Sequence, residues 1–350
     1  MLRQLSVKNF TAFPKAELEF ASGLNVIIGE NSTGKSHLLK LAYLILSVSA
    51  EEGKKPKATI PTKSLLATRL AAKLINVIQA ESLGRLVRRK QGKKPAEILL
   101  TFNDSLFDTA FSFATQSKSE VNIQKIPSRW QEKSPVFLPT CELLSIYPGF
   151  VSVYENHYLE FEENIRDTCL LLGAALLKGS KEKMVKKGLQ PLEAAMGGRV
   201  ILKNGRFYIK RVDTGDMEMP LLAEGLRKIA MVAILISTGA LLEKGWLFWD
   251  EPETNLNPKL IRLVASTILH LCNNGIQVFV ATHSLFFARE LEILSANKPF
   301  KDVKQRYFAL EQTATGVNVH QGHSIEQVDP LVLLDEELQQ SDRFMAGESV

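Results

Sequence analysis

Cysteine is scarce in this chain: Cys141, Cys169 and Cys272 are the three among 350 residues. Widely spaced and odd in number, they match neither a disulfide framework nor a zinc pattern, so a reducing compartment is the better reading. Long apolar runs are missing too. The longest, "IAMVAILISTGALL" (Ile229 to Leu242), is interrupted by Ser237, Thr238 and Gly239. A membrane-spanning helix needs about 20 apolar residues, so this run reads as a buried core helix. The opening "MLRQLSVKNF" alternates like a strand from the first residue, and no signal peptide is expected. Nor is there an excess of one charge. Lys and Arg number 43 against 38 Asp and Glu, a net charge of +5, too mild to imply nucleic acid by itself. A soluble, cytoplasmic protein with no membrane role is expected. What is present is ordinary globular material, 45% hydrophobic and 23% charged. The length suits one large domain with an insertion, or two domains.

Against that background "VIIGENSTGKSHLLKLAYLIL" (Val26 to Leu46) is unusual, because polar residues and two glycines separate two apolar runs. "GENSTGKS" fits G-x-x-x-x-G-K-[ST] at every fixed position. "LNVII" before it reads as a buried strand, and "SHLLKLAYLILS" after it as a helix with apolar residues at helical spacing. Gly29 and Gly34 let the backbone turn tightly, so the N–H groups of Gly29, Glu30, Asn31, Ser32, Thr33, Gly34, Lys35 and Ser36 face inward on phosphate oxygens. The helix adds its positive N-terminal end. Lys35 would reach the β- and γ-phosphates, and the Ser36 hydroxyl would meet Mg²⁺.

A phosphate cradle does not distinguish kinase, GTPase and ATPase. "GWLFWDEPETNLNP" (Gly245 to Pro258) is an apolar strand ending in Asp250-Glu251. Asp250 would hold Mg²⁺ through water. Glu251 projects past the strand end, placed to orient and deprotonate water. "IQVFVATHSLFFARE" is a further strand and helix, with His283 directly after the strand. A neutral imidazole there would bond the γ-phosphate and report its presence. Lys35 and Asp250 are 215 residues apart (250 − 35). One βα unit spans only about 30, so a large insertion separates the two halves of the site.

The phosphate loop, "DEPE" and "ATHS", in this order and spacing, resemble ABC-type ATPases, most closely the branch holding SMC, RecF and OLD-family ATPase heads. The opening "LRQLSVKNFTAFPKAELEFASGLNVIIGENSTGKS" is similar to the N-terminal strands of that branch. The resemblance covers about residues 1–48 and 215–320. It implies an α/β P-loop fold of ABC type: a mixed sheet flanked by helices, with an antiparallel β lobe and a helical insertion. It implies ATP and Mg²⁺, and a second copy of the chain, because in this family two heads sandwich two ATP molecules. Each head then offers its partner's γ-phosphate a signature loop opening a helix. The candidate is "LLAEGLRKIAMVAIL" (Leu221 to Leu235). Gly225 matches the family's glycine, Ala223 stands where a serine is common, and Glu224 replaces another glycine. A glycine at a helix start leaves N–H groups free for an anion in any case. A core helix without a ligand is the alternative.

The expected organisation is an ATPase head from 1–48 and 199–325, an insertion over 49–198, and a tail over 326–350. A helix is expected from Lys63 to about Arg89. Its end, "RLVRRKQGKKP", holds Arg85, Arg88, Arg89, Lys90, Lys93 and Lys94 and no acid, the best nucleic-acid patch in the chain. A solvated helix end is the plainer reading, and no aromatics interleave for base stacking. "AEILLTFN", "LFDTAFSF" and "EVNIQKI" alternate as short strands, and "SPVFLPT" reads as a buried one. Tyr154 to Lys187 reads as helical. In "RVILKNGRFYIKRV", Asn204-Gly205 mark a hairpin. "QRYFALEQTATGVNVHQG" reads as another, whose His320 and His323 fit a hairpin rim better than a metal pair. Core packing suits Phe10 and Phe13 better than stacking on adenine.

No segment after His283 resembles the nuclease domain of OLD proteins, and no heptad run suffices for an SMC arm. The favoured expectation is an ATPase switch acting on a separate effector, a nuclease or toxin, or on DNA, in bacterial anti-phage defence or DNA maintenance. A nucleotide-locked scaffold that sequesters its partner is the alternative. A transporter subunit fits less well.

Overall fold

The computed structural model describes residues 1–56, 59–89, 94–157, 160–213, 215–242 and 245–347, with backbone alone at 332–337. Strands β1 (Leu2–Phe10) and β2 (Phe13–Glu19) form a hairpin, and β3 (Leu24–Gly29) leads through the glycine loop into α1 (Lys35–Gly53). Then come α2 (Lys63–Ile78), β4 (Ala96–Phe102), β5 (Thr109–Phe113), β6 (Asn122–Lys125) and β7 (Val136–Leu138). Three helices follow: α3 (Tyr147–His157, kinked at Pro148-Gly149), α4 (Glu163–Leu172) and α5 (Glu182–Met196). The remainder is β8 (Arg199–Lys203), β9 (Arg206–Arg211), β10 (Gly215–Glu218), α6 (Glu224–Ser237), β11 (Gly245–Asp250) and α7 (Pro258–Asn273). It closes with β12 (Ile276–Thr282), α8 (Leu285–Ser295), β13 (Gln305–Thr313), β14 (Gly316–Gly322) and α9 (Val332–Ala346).

Among the described residues the central sheet has six strands in the order β14-β13-β3-β12-β11-β7. All neighbours run parallel except β13 and β14. Every residue of β3, β11 and β12 is buried. Strands covered on both faces are mostly apolar, and the buried amides within these, Asn25 and Gln277, are hydrogen-bonded to the main chain of Ala21 and Leu2. Val26, Leu247, Trp249, Val278 and Val280 pack on one face with α6, α7 and α8. Ile27, Phe248, Phe279 and Phe308 pack on the other with α1 and the second sheet. That sheet is antiparallel, in the order β2-β1-β4-β5-β6, so the expected β lobe exists and β1 and β2 complete it.

The hairpin at Asn204-Gly205 has both residues at positive φ, 51° and 71°, as its turn type requires. Asn257 caps α7, its side chain accepting from the Leu260 amide at 3.0 Å, with Pro258 in the first turn. The expected helix to Arg89 is corrected: α2 stops at Ile78, where Gln79 turns left-handed at φ 58°. Leu83–Leu86 form a 3-10 turn, and Val87 bridges Phe10. The apolar spacing of Leu83, Leu86 and Val87 imitates a continuing helix because a 3-10 turn has nearly the same period. The stretch from Tyr154 to Lys187, expected to be helical, holds the end of α3, all of α4 and the start of α5. No helix among the described residues is long and apolar enough to cross a membrane.

Pairing registers bring the strand ends level. Gly29 lies opposite Leu310, Ile28 opposite Thr282, and Asp250 opposite Ala281. Carboxyl ends of parallel strands are where open α/β sheets bind ligands, and the residues singled out in the sequence lie along this edge.

Candidate functional site

The loop after β3 closes in two left-handed steps, Ser32 at φ 67° and Gly34 at φ 89°. Gly34 also has no room for a side chain, since a Cβ would lie 2.8 Å from the Phe13 ring. Phe10 and Phe13 are fully buried, Phe13 beneath the loop, and serve as core. The Thr33 hydroxyl donates to the Glu30 carbonyl at 2.8 Å, while Glu30, Asn31 and Ser32 are exposed. Lys35 folds back, its ammonium donating to the carbonyls of Gly29 (2.7 Å) and Glu30 (2.8 Å). Burial lowers its pKa, opposed by Glu251 and Asp250. The loop thus holds a buried cation on its own carbonyls, bonds that a phosphate can replace.

Asp250 is buried at the end of β11. Desolvation raises its pKa, and the Ser36 hydroxyl, Lys40 and Lys35 pull it down. Its Oδ1 has no hydrogen-bond partner. A buried carboxylate with an orphan oxygen beside a hydroxyl is a suitable donor set for a hard divalent cation, so these two residues fit Mg²⁺. Glu251 follows at φ 46°, outside the ordinary range for a side-chain-bearing residue. This re-aims its carboxylate off the strand. Oε1 lies 2.9 Å from His283 Nδ1, and Oε2 accepts from the Thr254 hydroxyl at 3.3 Å. His283 is half-exposed between β12 and α8. Ser284 caps α8, accepting from the Phe287 amide at 3.2 Å. Lys35, Ser36, Asp250, Glu251 and His283, spread over 249 residues of chain (283 − 35 + 1), therefore share one edge of the sheet.

Two acids missed in the sequence support this edge. Glu253 is buried and paired with the Thr282 hydroxyl, and burial raises its pKa. Glu142, after β7, receives Arg227 of α6 at 2.9 Å and accepts the amides of Leu144 and Ser145. Glu253 closes the "DEPE" motif but was given no role there, and Glu142 lies in no motif; only the packing of distant strands makes both inward. The helix α6 opens at Glu224 without a side-chain cap on Ala223. Gly225 is demanded within the same chain: a Cβ there would lie 2.8 Å from both the Asn255 carbonyl and Leu256 Cδ2.

The basic run does not form one helix end. Arg85 pairs with Glu81 at 2.7 Å, and Arg88 donates to the Thr315 carbonyl. Arg89 and Lys94 are exposed, while Lys90 and Lys93 lie outside the described residues. His320 meets Glu311 and His323 meets Arg306, at 2.9 and 2.8 Å. The cysteines are free, with Cys169 and Cys272 buried.

The family described as "AAA domain, putative AbiEii toxin, Type IV TA system" matches residues 24–289. An ATP/GTP phosphatase of Helicobacter pylori is 21% identical over 89% of this chain and 93% of its own. The RecF DNA replication and repair protein of Streptococcus suis is 29% identical over 29% of this chain and 24% of RecF. Among solved structures, the Smc head domain with an extended coiled coil bound to the C-terminal domain of ScpA, from Pyrococcus furiosus, superposes with a TM-score of 0.53. It is 12% identical and covers 97% of this chain and 99% of its own, a likeness of fold. The family match spans three quarters of the chain, from the strand before the phosphate loop to the helix after His283, so the protein belongs to this AAA family and is an ATPase, sharing its fold with the Smc head.

Proposed function

We propose that the chain is an ATP-driven switch in which two copies close head to head on two ATP·Mg²⁺. Hydrolysis reopens them, and the cycle controls a separate effector protein, a nuclease or toxin, or DNA. The observation that carries this reading is the Glu251 carboxylate. It is held by His283 and Thr254 on the same edge as the phosphate loop and the buried Asp250.

In this reading the main-chain N–H groups from Gly29 to Ser36 and the α1 N-terminus bind the phosphates. Lys35 leaves the Gly29 and Glu30 carbonyls for the β- and γ-oxygens. Asp250 and Ser36 would hold Mg²⁺, which when bound neutralises phosphate charge. Glu251 takes a proton from water as its oxygen bonds to the γ-phosphorus. The bond to the bridging oxygen breaks, its electrons leaving with ADP. His283 fixes the Glu251 rotamer and faces the γ-phosphate. The N–H groups at Glu224 and Gly225 serve the partner copy's phosphate. The head would comprise 1–48 and 199–325, with 49–198 as the surface presented to the effector. The family's description names a toxin–antitoxin system, which supports an effector-linked role, and the relative named a phosphatase supports turnover.

Glu251→Gln tests the reading. ATP binding should persist, turnover should fall by about 10²–10⁴-fold, and light scattering with ATP·Mg²⁺ should show the mass of a dimer. Unchanged turnover removes Glu251 from its role, and a monomer at saturating ATP removes the closure.

A further inference from the structure

Lys228 is fully buried, one turn into α6 and three residues after Gly225. Withdrawing an ammonium from water is costly unless it is compensated. Among the described residues, Lys73 is the other deeply buried lysine outside the phosphate loop, and it has three carboxylates around it. Lys228 forms no ion pair among the described residues. Its Nζ donates instead to the main-chain carbonyl of Thr254 at 2.8 Å. Burial lowers its pKa, and Glu224, Glu253 and Glu251 act on it through space.

Thr254 is a significant anchor. Its hydroxyl donates to Glu251 Oε2, and its amide donates to the Glu251 carbonyl at 3.2 Å. The turn it closes has two residues in left-handed conformations, Glu251 at φ 46° and Asn255 at φ 64°. Such a turn persists when its surroundings over-determine it. The first turn of α6 supplies that restraint twice: Gly225 lies against Asn255 and Leu256, and Lys228 holds Thr254.

We infer that Lys228 is a positioning residue for hydrolysis. By anchoring the Thr254 carbonyl it holds the turn from Glu251 to Leu256, and so aims the Glu251 carboxylate at the attacking water. The inference rests on the role proposed for Glu251. It also gives α6 a route, within one chain, from the helix start to the catalytic carboxylate.

Lys228→Met keeps the apolar stem and removes the donor. The expected kcat is about 10²-fold lower, the loss that a small misplacement of a reacting group produces. ATP affinity should stay within about twofold, because only an interaction used in the transition state is removed. Lys228→Gln keeps an N–H donor and should retain more of kcat than Lys228→Met. It also serves as the test if the methionine variant does not fold. In single turnover, Lys228→Met added to Glu251→Gln should cause no further loss, since the group it aims is gone. Full multiplicative losses in the double variant overturn the inference, as does a wild-type kcat for Lys228→Met beside an inactive Glu251→Gln. Equal losses for Met and Gln overturn the hydrogen bond as the cause. Wild-type turnover in Glu251→Gln would instead strike the role of Glu251 itself.

Discussion

At the scale of single residues, Asp250 shows burial opposing charge. Desolvation raises its pKa above the usual 3.8. Between that value and the raised one, the folded state binds more protons than the unfolded state. Stability therefore falls as pH rises through that window, and the full cost of the buried charge is present at neutral pH. Asp250→Asn keeps an acceptor for Ser36 and removes the charge. It should stabilise the nucleotide-free protein by about 1 kcal/mol at pH 7 and flatten the decline with rising pH, while Mg²⁺-dependent turnover is lost. Thermal melts from pH 4 to 8 beside a phosphate-release assay check both. Asp250 was legible as an acid at a strand end. Its burial and orphan oxygen were not, because they depend on strands that approach from far along the chain.

At the scale of elements, α1 carries polar side chains at about one-turn intervals, each meeting a group from elsewhere. Ser36 faces Asp250, and Lys40 pairs with Glu162. Tyr43 donates to Asp167 at 2.8 Å, and Glu51 receives Lys73 at 2.6 Å. Lys73 of α2 also meets Glu163 and Asp167 of α4, at 2.8 and 2.7 Å. Burial alone would lower its pKa, but Asp167, Glu163 and Glu51 outweigh it and the value is raised. A raised lysine contributes stability fully below its unfolded pKa and loses it only as pH climbs through the folded one, so the junction is intact at neutral pH. Lys73→Met leaves three carboxylates facing one another and should cost about 3–5 kcal/mol at pH 7. Lys73→Arg keeps the positive charge and should lose less. Urea melts of the two variants measure it, and equal losses would remove the charge cluster as the cause. Sequence periodicity identified α1 and the helices around it but not this junction, since its acids and lysine are ordinary polar positions on three separate helices. The end of α2 was invisible for a related reason. No glycine or proline marks Gln79, and the 3-10 turn beyond it continues the apolar spacing.

At the scale of the molecule, the basic run is reduced by its neighbours to Arg89 and Lys94 among the described residues. If this face meets DNA, the variant with both changed to Ala should lower the slope of log affinity against log salt by about 2. Arg85→Ala, already paired with Glu81, should leave the slope near that of the parent. Fluorescence anisotropy over a salt series reads this, and an unchanged slope in the double variant would remove the patch as a phosphate-binding surface.

The glycine loop, the three largely apolar buried strands, the capped α7 and the hairpin at Asn204-Gly205 were determined by the sequence alone. Their causes lie within a few residues: φ freedom, hydrophobic period and side-chain caps. Which chain segments flank those strands was a tertiary decision. Whether Gly225 is needed for its own chain's turn, whether Lys228 points inward, and which arginines remain free were tertiary decisions as well. Each depends on what a distant segment brings within about 3 Å of it, a distance that hydrogen bonds require and local sequence does not encode.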